Sequence, residues 1–290
     1  MDKLSIIIPA RNEQFLSNTI NDIFSKSQGP IEIIVVLDGY WPNPPLIEKN
    51  NLVILHKGTP EGMRPAINSA ANIATGKYLM KVDAYCVFDE GFDVKLQKDC
   101  KEDWLVVPTR YSVDHEKWER TKVNNPIQYH YLSFPYEVSI HGRGIQSRPF
   151  GNDYNLLRKD ILIDDLMTFQ GSCWFMHKDY FFNIIHPMDH ENYYFFQESQ
   201  ELGMKVWLSG GRVVVNKNTW YAHLHKGRFF GRGFFLSKKR KIESERYSTD
   251  FWVNNKWDKR IHDFKWLVDK FWPLPGWLED WEDEKYTIKF

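Results

Sequence analysis

Short β-branched apolar runs alternate with segments of helical apolar spacing along residues 4–85. The apolar runs are Leu4–Ile8, Ile31–Leu37, Leu52–Leu55 and Tyr78–Val82. Runs of this kind fit strands buried on both faces of a parallel sheet. Apolar residues recur at helical spacing in residues 13–27 and 62–74, which predicts helices there. Because strands and helices alternate, we predict an α/β fold with a mostly parallel, doubly wound sheet and right-handed crossovers.

Polar residues follow three of the predicted strands, at the edge where such sheets bind ligands. Residues 11–13 follow the first strand, Asp38 the second and Asp83 the fourth. The sequence has neither Gly-x-Gly-x-x-Gly after the first strand nor a Gly-Lys-Ser/Thr phosphate loop. A dinucleotide dehydrogenase and a P-loop enzyme are therefore disfavoured. A phosphate bound at this edge would need a metal ion or an arginine to neutralise it.

Four segments, in the same order, resemble family 2 glycosyltransferases of the GT-A fold. Residues 5–13 and 33–39 are similar to the start of that family, and residues 61–86 and 198–223 to polypeptide N-acetylgalactosaminyltransferases. The resemblance covers residues 4–225 and implies a GT-A α/β domain over 1–225. Residues 226–290 would add a basic, lid-like segment and a C-terminal helical, aromatic-rich extension.

The resemblance implies transfer of a sugar from a nucleotide-sugar, with a UDP-sugar as the expected donor, to an acceptor hydroxyl. A divalent cation, Mn²⁺ or Mg²⁺, would offset the charge that grows on the departing diphosphate. Asp83 is the expected ligand from its position, and the resemblance adds His223. In the alternative interpretation, Asp83 caps a strand end and His223 packs in the core.

Three residues depart from the family pattern. Leu37 stands where the family usually has Asp, Tyr85 where it has a third metal-binding residue, and Ser199 where it has the Asp of the base motif. A tyrosine is a poor metal ligand at neutral pH. Together these departures leave open a second class of function, an inactive sugar-nucleotide-binding scaffold.

Further residues are predicted to contact the donor. They are Pro9, Arg11, Glu13, Asp38, Arg64 and Trp174. Arg64 would combine a guanidinium with a helix N-terminus, a pairing suited to phosphate. Asp38 could bond the nucleotide base or only form an Asp-Gly turn. Trp174 could stack on the sugar or belong to the core.

Glu198 is the predicted catalytic base or acceptor-orienting group, and Glu201 is the second choice. Both could instead lie on the solvated face of a helix. The sequence does not decide between inversion and retention at the anomeric carbon.

Residues 226–246 carry eight cationic and only two acidic side chains, with interleaved phenylalanines and glycines. Lys226, Arg228, Arg232 and Lys238 are predicted to act in a lid over the donor or in acceptor binding. A solvated helix over residues 237–246 is the alternative. The whole chain has 38 cationic and 38 acidic residues, which excludes a globally basic nucleic-acid binder but not a local patch.

The basic, aromatic segment favours a polyanionic acceptor, most concretely a hydroxymethyl-pyrimidine in phage-type DNA. A cell-surface glycan, a lipid carrier or a protein is the alternative acceptor. With three cysteines, no signal peptide and no apolar run of about 20 residues, we expect a soluble, cytoplasmic protein. Six of twelve tryptophans follow residue 250; most should be core, while Trp277 and Trp281 could line an acceptor groove.

Overall fold

A computed structural model describes residues 1–122, 126–135, 138–139, 142–232 and 234–282. For residues 138, 139, 142, 143 and 228 it describes the backbone alone. Among the predicted site residues, the Arg228 side chain therefore lies outside the described part of the chain. So do residues 283–290 of the predicted C-terminal extension.

The described strands are β1 (Leu4–Ala10), β2 (Ile31–Asp38), β3 (Leu52–Lys57), β4 (Tyr78–Val82), β5 (Cys86–Phe88), β6 (Trp104–Asp114), β7 (Glu119–Arg120), β8 (His130–Leu132), β9 (Val138–Ser139), β10 (Gly142–Arg143), β11 (Ser147–Pro149), β12 (Ile163–Asp165), β13 (Cys173–His177) and β14 (Arg212–His223). The helices are α1 (Leu16–Lys26), α2 (Met63–Ile73), α3 (Phe92–Asp99), α4 (Asn152–Leu157), α5 (Lys178–Tyr180), α6 (His190–Tyr193), α7 (Glu198–Leu208), α8 (Gly227–Phe230), α9 (Lys238–Val253) and α10 (Phe264–Phe271). A π-helical turn at Phe181–Ile185 follows α5.

The central sheet has the strand order β12-β14-β6-β13-β4-β1-β2-β3. Its main strands pair in parallel: β1 with β2 and β4, β2 with β3, and β6 with β14. Strand β13 runs antiparallel between β4 and β6, and β12 is an antiparallel edge strand. The predicted α/β fold with a mostly parallel sheet is confirmed. The carboxyl ends of β1, β2, β4 and β14 consequently lie along one edge.

The sheet is buried on both faces because its strands are apolar at nearly every position. In β1, Ile7 belongs to one buried cluster, while Ile6 and Ile8 belong to the other. Helices α2, α7 and α10 pack into the Ile7 cluster, and α1 and α3 into the Ile6 cluster. This alternation is the period-two pattern that a strand imposes on its side chains.

The C-terminal tryptophans pack into the same cluster as Ile7. Trp252, Trp257, Trp277 and Trp281 are buried there, and Trp277 Nε1 donates to the Leu132 carbonyl at 2.7 Å. The predicted acceptor-groove role of Trp277 and Trp281 is corrected accordingly, because their rings face the core.

The basic helix α9 is longer than expected and is not solvated all round. It runs to Val253, and Ser244, Glu245 and Ser248 on it are buried. In the part of the chain that the structure describes, no helix combines the length and the apolar character needed to cross a bilayer.

Candidate active site

A cleft of about 830 Å³ opens at the carboxyl edge of the parallel strands. Predicted site residues that line it are Pro9, Arg11, Glu13, Asp38, Asp83, Glu198, His223, Lys226 and Arg232. These residues come from β1 and the segment after it, β2, the segment after β4, α7, β14 and the segment that follows β14. The topology explains their meeting, since the parallel strands all end at this edge.

Asp83 and His223 meet on the cleft floor. His223 Nε2 lies 3.2 Å from Asp83 Oδ2, and the backbone N–H of Asp83 donates to the Ser172 carbonyl. Burial lowers the pKa of His223, which favours the neutral imidazole that can bind a metal ion. Burial alone would raise the pKa of Asp83, but the charge of Lys81 and the hydrogen bond from His223 outweigh it and hold the pKa below its usual range.

Lys81 is the feature of the site that was not predicted. It lies on β4 among apolar residues, is 1% exposed, and directs its ammonium to the cleft floor. The ammonium donates to Asp83 Oδ1 at 2.8 Å, to the Gly171 carbonyl at 2.6 Å and to Glu198 Oε2 at 3.2 Å. Burial would lower the pKa of Lys81, but Asp83 and Glu198 more than offset it and raise the pKa above its ordinary value. A charged residue inside the otherwise apolar run Tyr78–Val82 was the signal in the sequence.

Glu198 begins α7 and lines the cleft. Besides Lys81, it accepts a hydrogen bond from Trp174 Nε1 at 2.9 Å through Oε1. Gly171 packs directly against Glu198. A side chain at position 171 would place its Cβ 2.5 Å from Glu198 Oε2, so glycine is needed there. Burial raises the pKa of Glu198, although Lys81 opposes the rise. A buried carboxylate with a raised pKa is suited to take up a proton.

Trp174 and Arg64 do not line the cleft. Trp174 is fully buried on β13, where only its indole N–H reaches the site through Glu198. Arg64 is also fully buried on α2, with its guanidinium paired to Glu201 and donating to the Phe196 carbonyl at 2.7 Å. We therefore correct both donor-contact predictions: neither side chain has a surface to offer a ligand.

The structure also contradicts the prediction of Glu201 as the second choice of base. Its carboxylate is fully buried and accepts from Arg64, from Lys205 Nζ at 2.7 Å and from the Asp189 N–H at 3.1 Å. With cations on both oxygens and no exposure, it stabilises α7 and the turn before it. The turn carries Gln197, whose φ of 58° leads directly into Glu198.

Asp38 and Glu13 lie in the cleft lining with their carboxylates already bonded. Asp38 accepts from the N–H groups of Glu61 and Gly62 at 2.7 and 3.0 Å, so it holds the loop that opens α2. Glu13 pairs with Lys226 Nζ at 2.6 Å, which ties the segment after β1 to the segment after β14. Burial raises the pKa of Glu13, and Lys226 opposes the rise.

Cationic side chains at the mouth rest on aromatic rings. The guanidinium of Arg11 lies 5.3 Å from the Phe234 ring, that of Arg232 5.7 Å from Phe195, and that of Arg240 4.9 Å from Tyr194. Lys238, at the first position of α9, is exposed and lies outside the cleft lining, so its lid or acceptor role stays a prediction.

The donor set at Asp83 and His223 fits a divalent cation. A carboxylate oxygen and a neutral imidazole nitrogen are acceptable to Mn²⁺, while Mg²⁺ prefers oxygen alone. Tyr85 adds no third ligand, because burial raises its pKa and keeps the phenol protonated. Within the described residues no group of three His, Cys, Asp or Glu side chains converges, so the donor phosphates and water would complete the coordination.

The sequence model described as "Glycosyl transferase family 2" matches residues 5–184. No curated protein gives a significant match to the sequence. Solved structures that share the fold include the following two. A structure of GalNAc-T7 with UDP, GalNAc and Mn²⁺ superposes with a TM-score of 0.67 at 15% identity, over 88% of this chain and 50% of that one.

The second structure is S. aureus TarS 1–349 in complex with UDP-GlcNAc. It has a TM-score of 0.56 at 14% identity and covers 89% of this chain and 68% of its own. Measured against the GalNAc-T7 structure, this chain spans about half of that protein's length. Because the family model covers more than half of the sequence, from β1 through β13, the chain belongs to glycosyltransferase family 2.

Proposed function

We propose that this chain transfers a sugar from a UDP-sugar to an acceptor hydroxyl. The observation that carries the proposal is the meeting of Asp83, His223 and Glu198 in one cleft at the carboxyl edge of a GT-A-type sheet. Structures of two proteins with the same fold contain UDP or UDP-GlcNAc by their descriptions, which supports a uridine nucleotide as the donor.

In the proposed reaction, the acceptor oxygen attacks the anomeric carbon as the bond from that carbon to the diphosphate oxygen breaks. The acceptor proton passes to Glu198, and the nucleoside diphosphate leaves. The Glu198 carboxylate already accepts two hydrogen bonds, but its two oxygens offer about four lone-pair sites, so an acceptor O–H can still be received. A single displacement of this kind inverts the anomeric centre, which NMR of the product can test.

We further propose that the reaction uses Mn²⁺ or Mg²⁺, held by Asp83 and His223. When bound, such a cation offsets negative charge on the departing diphosphate. The resident groups do the remaining work: Lys81 keeps the Asp83 carboxylate ionised, and the His223 ring is oriented by its contact with Asp83.

Replacing Asp83 or His223 by alanine should lower transfer, or hydrolysis of the UDP-sugar, by at least about 100-fold, because several kcal/mol of charge stabilisation are lost. Mn²⁺ binding in the presence of UDP, measured by electron paramagnetic resonance, should weaken in both variants. His177→Ala is the matched control, since His177 is half-buried at the far end of β13 and outside the cleft lining. Unchanged turnover in both variants would remove the metal assignment, and a wild-type protein that binds UDP without transfer or hydrolysis would favour the inactive scaffold.

For the acceptor, we propose a hydroxymethylated pyrimidine in DNA. Arg232, Arg240 and the 90% exposed ring of Phe235 lie together at the cleft mouth, where cations can contact phosphates and a ring can stack on a base. A cell-surface glycan, a lipid carrier or a protein is the alternative acceptor. Within the basic segment Lys239 and Lys241 pair with Glu243 and Glu245, so the proposed phosphate contacts come from Arg232 and Arg240 at the cleft.

Electrophoretic retardation of duplex DNA tests the acceptor. At low salt the protein should retard DNA, and Arg232→Ala/Arg240→Ala should weaken binding equally across sequences and lower the salt slope by about 2. Lys26→Ala/Lys95→Ala is the control, because these lysines lie outside the cleft lining. Absence of retardation at low salt, together with transfer to a glycan or lipid, would replace the DNA acceptor by the alternative one.

A further inference from the structure

Lys81 joins the two halves of the candidate site. Its ammonium bonds Asp83 on the donor side and Glu198 on the acceptor side, at 2.8 and 3.2 Å. With His223 at one end and Trp174 at the other, five side chains form a continuous hydrogen-bonded chain across the cleft floor. No other cation lies within bonding distance of either carboxylate among the described contacts.

The surrounding strands and hydrogen bonds hold Lys81 at this position in the sheet. Position 81 lies in the middle of the sheet, with β1 on one side of β4 and β13 on the other. Burying an ammonium there is costly unless its charge is paired and its protons are bonded. All three protons have acceptors, the third being the Gly171 carbonyl at 2.6 Å. Leu79, the nearest β4 residue on the same face as Lys81, is apolar and fully buried.

The same arrangement fixes the position of the Glu198 carboxylate. Lys81 Nζ lies 3.2 Å from Oε2, and Trp174 Nε1 donates to Oε1 at 2.9 Å. Gly171 also packs against Oε2, since a Cβ at position 171 would stand 2.5 Å from that oxygen. Without the ammonium, Oε2 would lose its charged partner and the carboxylate could rotate out of this position.

We propose that Lys81 is a positioning residue for catalysis: its ammonium holds the Glu198 carboxylate aimed into the cleft and links it to the donor site through Asp83. This inference rests on the proposed glycosyltransferase function. It assigns Lys81 an effect on turnover exerted through Glu198, and none through direct contact with the donor, because its three protons are already donated.

The first test separates turnover from donor binding. Lys81→Met should lower kcat by about 100-fold, the scale of a misplaced catalytic group, while the UDP dissociation constant, measured by calorimetry without added divalent cation, changes less than about threefold. Lys205→Met is the matched control, a largely buried lysine paired with Glu201 outside the cleft lining. It should keep kcat per folded molecule. A Lys81→Met protein that loses UDP affinity as much as kcat, or that keeps the wild-type kcat, would overturn the proposal.

Two further variants guard against a merely structural loss. In the Glu198→Gln background, adding Lys81→Met should have little additional effect on kcat, because residues that act as one unit are not additive. In Lys81→Ala, propylammonium should restore turnover at least about tenfold and 1-propanol should not, since only the former replaces the charge. Additive losses, or equal rescue by the alcohol, would show a packing role instead. If the wild type has no activity on any UDP-sugar, the proposed function fails before Lys81 is tested.

Discussion

Replacing Glu198 by glutamine should lower kcat for sugar transfer by about 10²- to 10⁴-fold, the usual contribution of a positioned general base. The amide keeps the size of the side chain and one oxygen for Lys81 or Trp174, but it cannot take the acceptor proton. Donor affinity should be nearly unchanged, because Asp83, His223 and the nucleotide-facing lining are untouched. Initial rates of transfer and a UDP titration on the same preparation measure the two quantities.

Glu32→Gln is the control for this prediction. Glu32 is a largely buried carboxylate that pairs with Lys3 Nζ at 2.8 Å, much as Glu198 pairs with Lys81, but it lies at the opposite edge of the sheet. The control should lose stability and keep kcat per folded molecule. If Glu198→Gln retains a kcat within a few fold of the wild type, the proton goes elsewhere and the base assignment is wrong.

Breaking the Arg64–Glu201 pair should destabilise the fold by about 3–5 kcal/mol, because either single substitution leaves a buried charge without its partner. In Arg64→Met, the Glu201 carboxylate keeps its pair with Lys205, so we expect only part of this destabilisation. Glu201→Gln leaves the fully buried Arg64 with no carboxylate, and we expect the larger loss there. Urea unfolding gives the free energies, with the slope compared between variants.

The double variant Arg64→Met/Glu201→Gln distinguishes a charge effect from lost packing. It removes both charges, so it should unfold at a higher urea concentration than the sum of the single losses implies. Lys26→Met, which breaks an exposed pair with Glu90, is the control and should cost about 1 kcal/mol or less. Single variants as stable as the wild type would contradict a structural role for Arg64 and reopen its prediction as a phosphate contact.

Much of the fold could be predicted from local patterns. The β-branched runs marked β1, β2, β3 and β4 to within a few residues, because a strand buried on both faces must be apolar throughout. Polar residues directly after those runs had to meet at one edge, since parallel strands end together. This reasoning placed Asp38 and Asp83 in one cleft, and the family resemblance added His223 and Glu198.

Tertiary structure decided the partners of each charge, which no local pattern contains. Arg64, Glu201, Trp174 and Glu198 all carry groups suited to a ligand, yet the first three are fully buried and only Glu198 faces the cleft. A buried charge needs an opposite charge beside it. That partner lies 137 positions away for Arg64, and Lys81 pairs both with nearby Asp83 and with Glu198, 117 positions away. The sequence by itself determined a GT-A-type sheet with an acidic, histidine-bearing edge. Packing decided which of its charges stabilise the fold and which remain for chemistry.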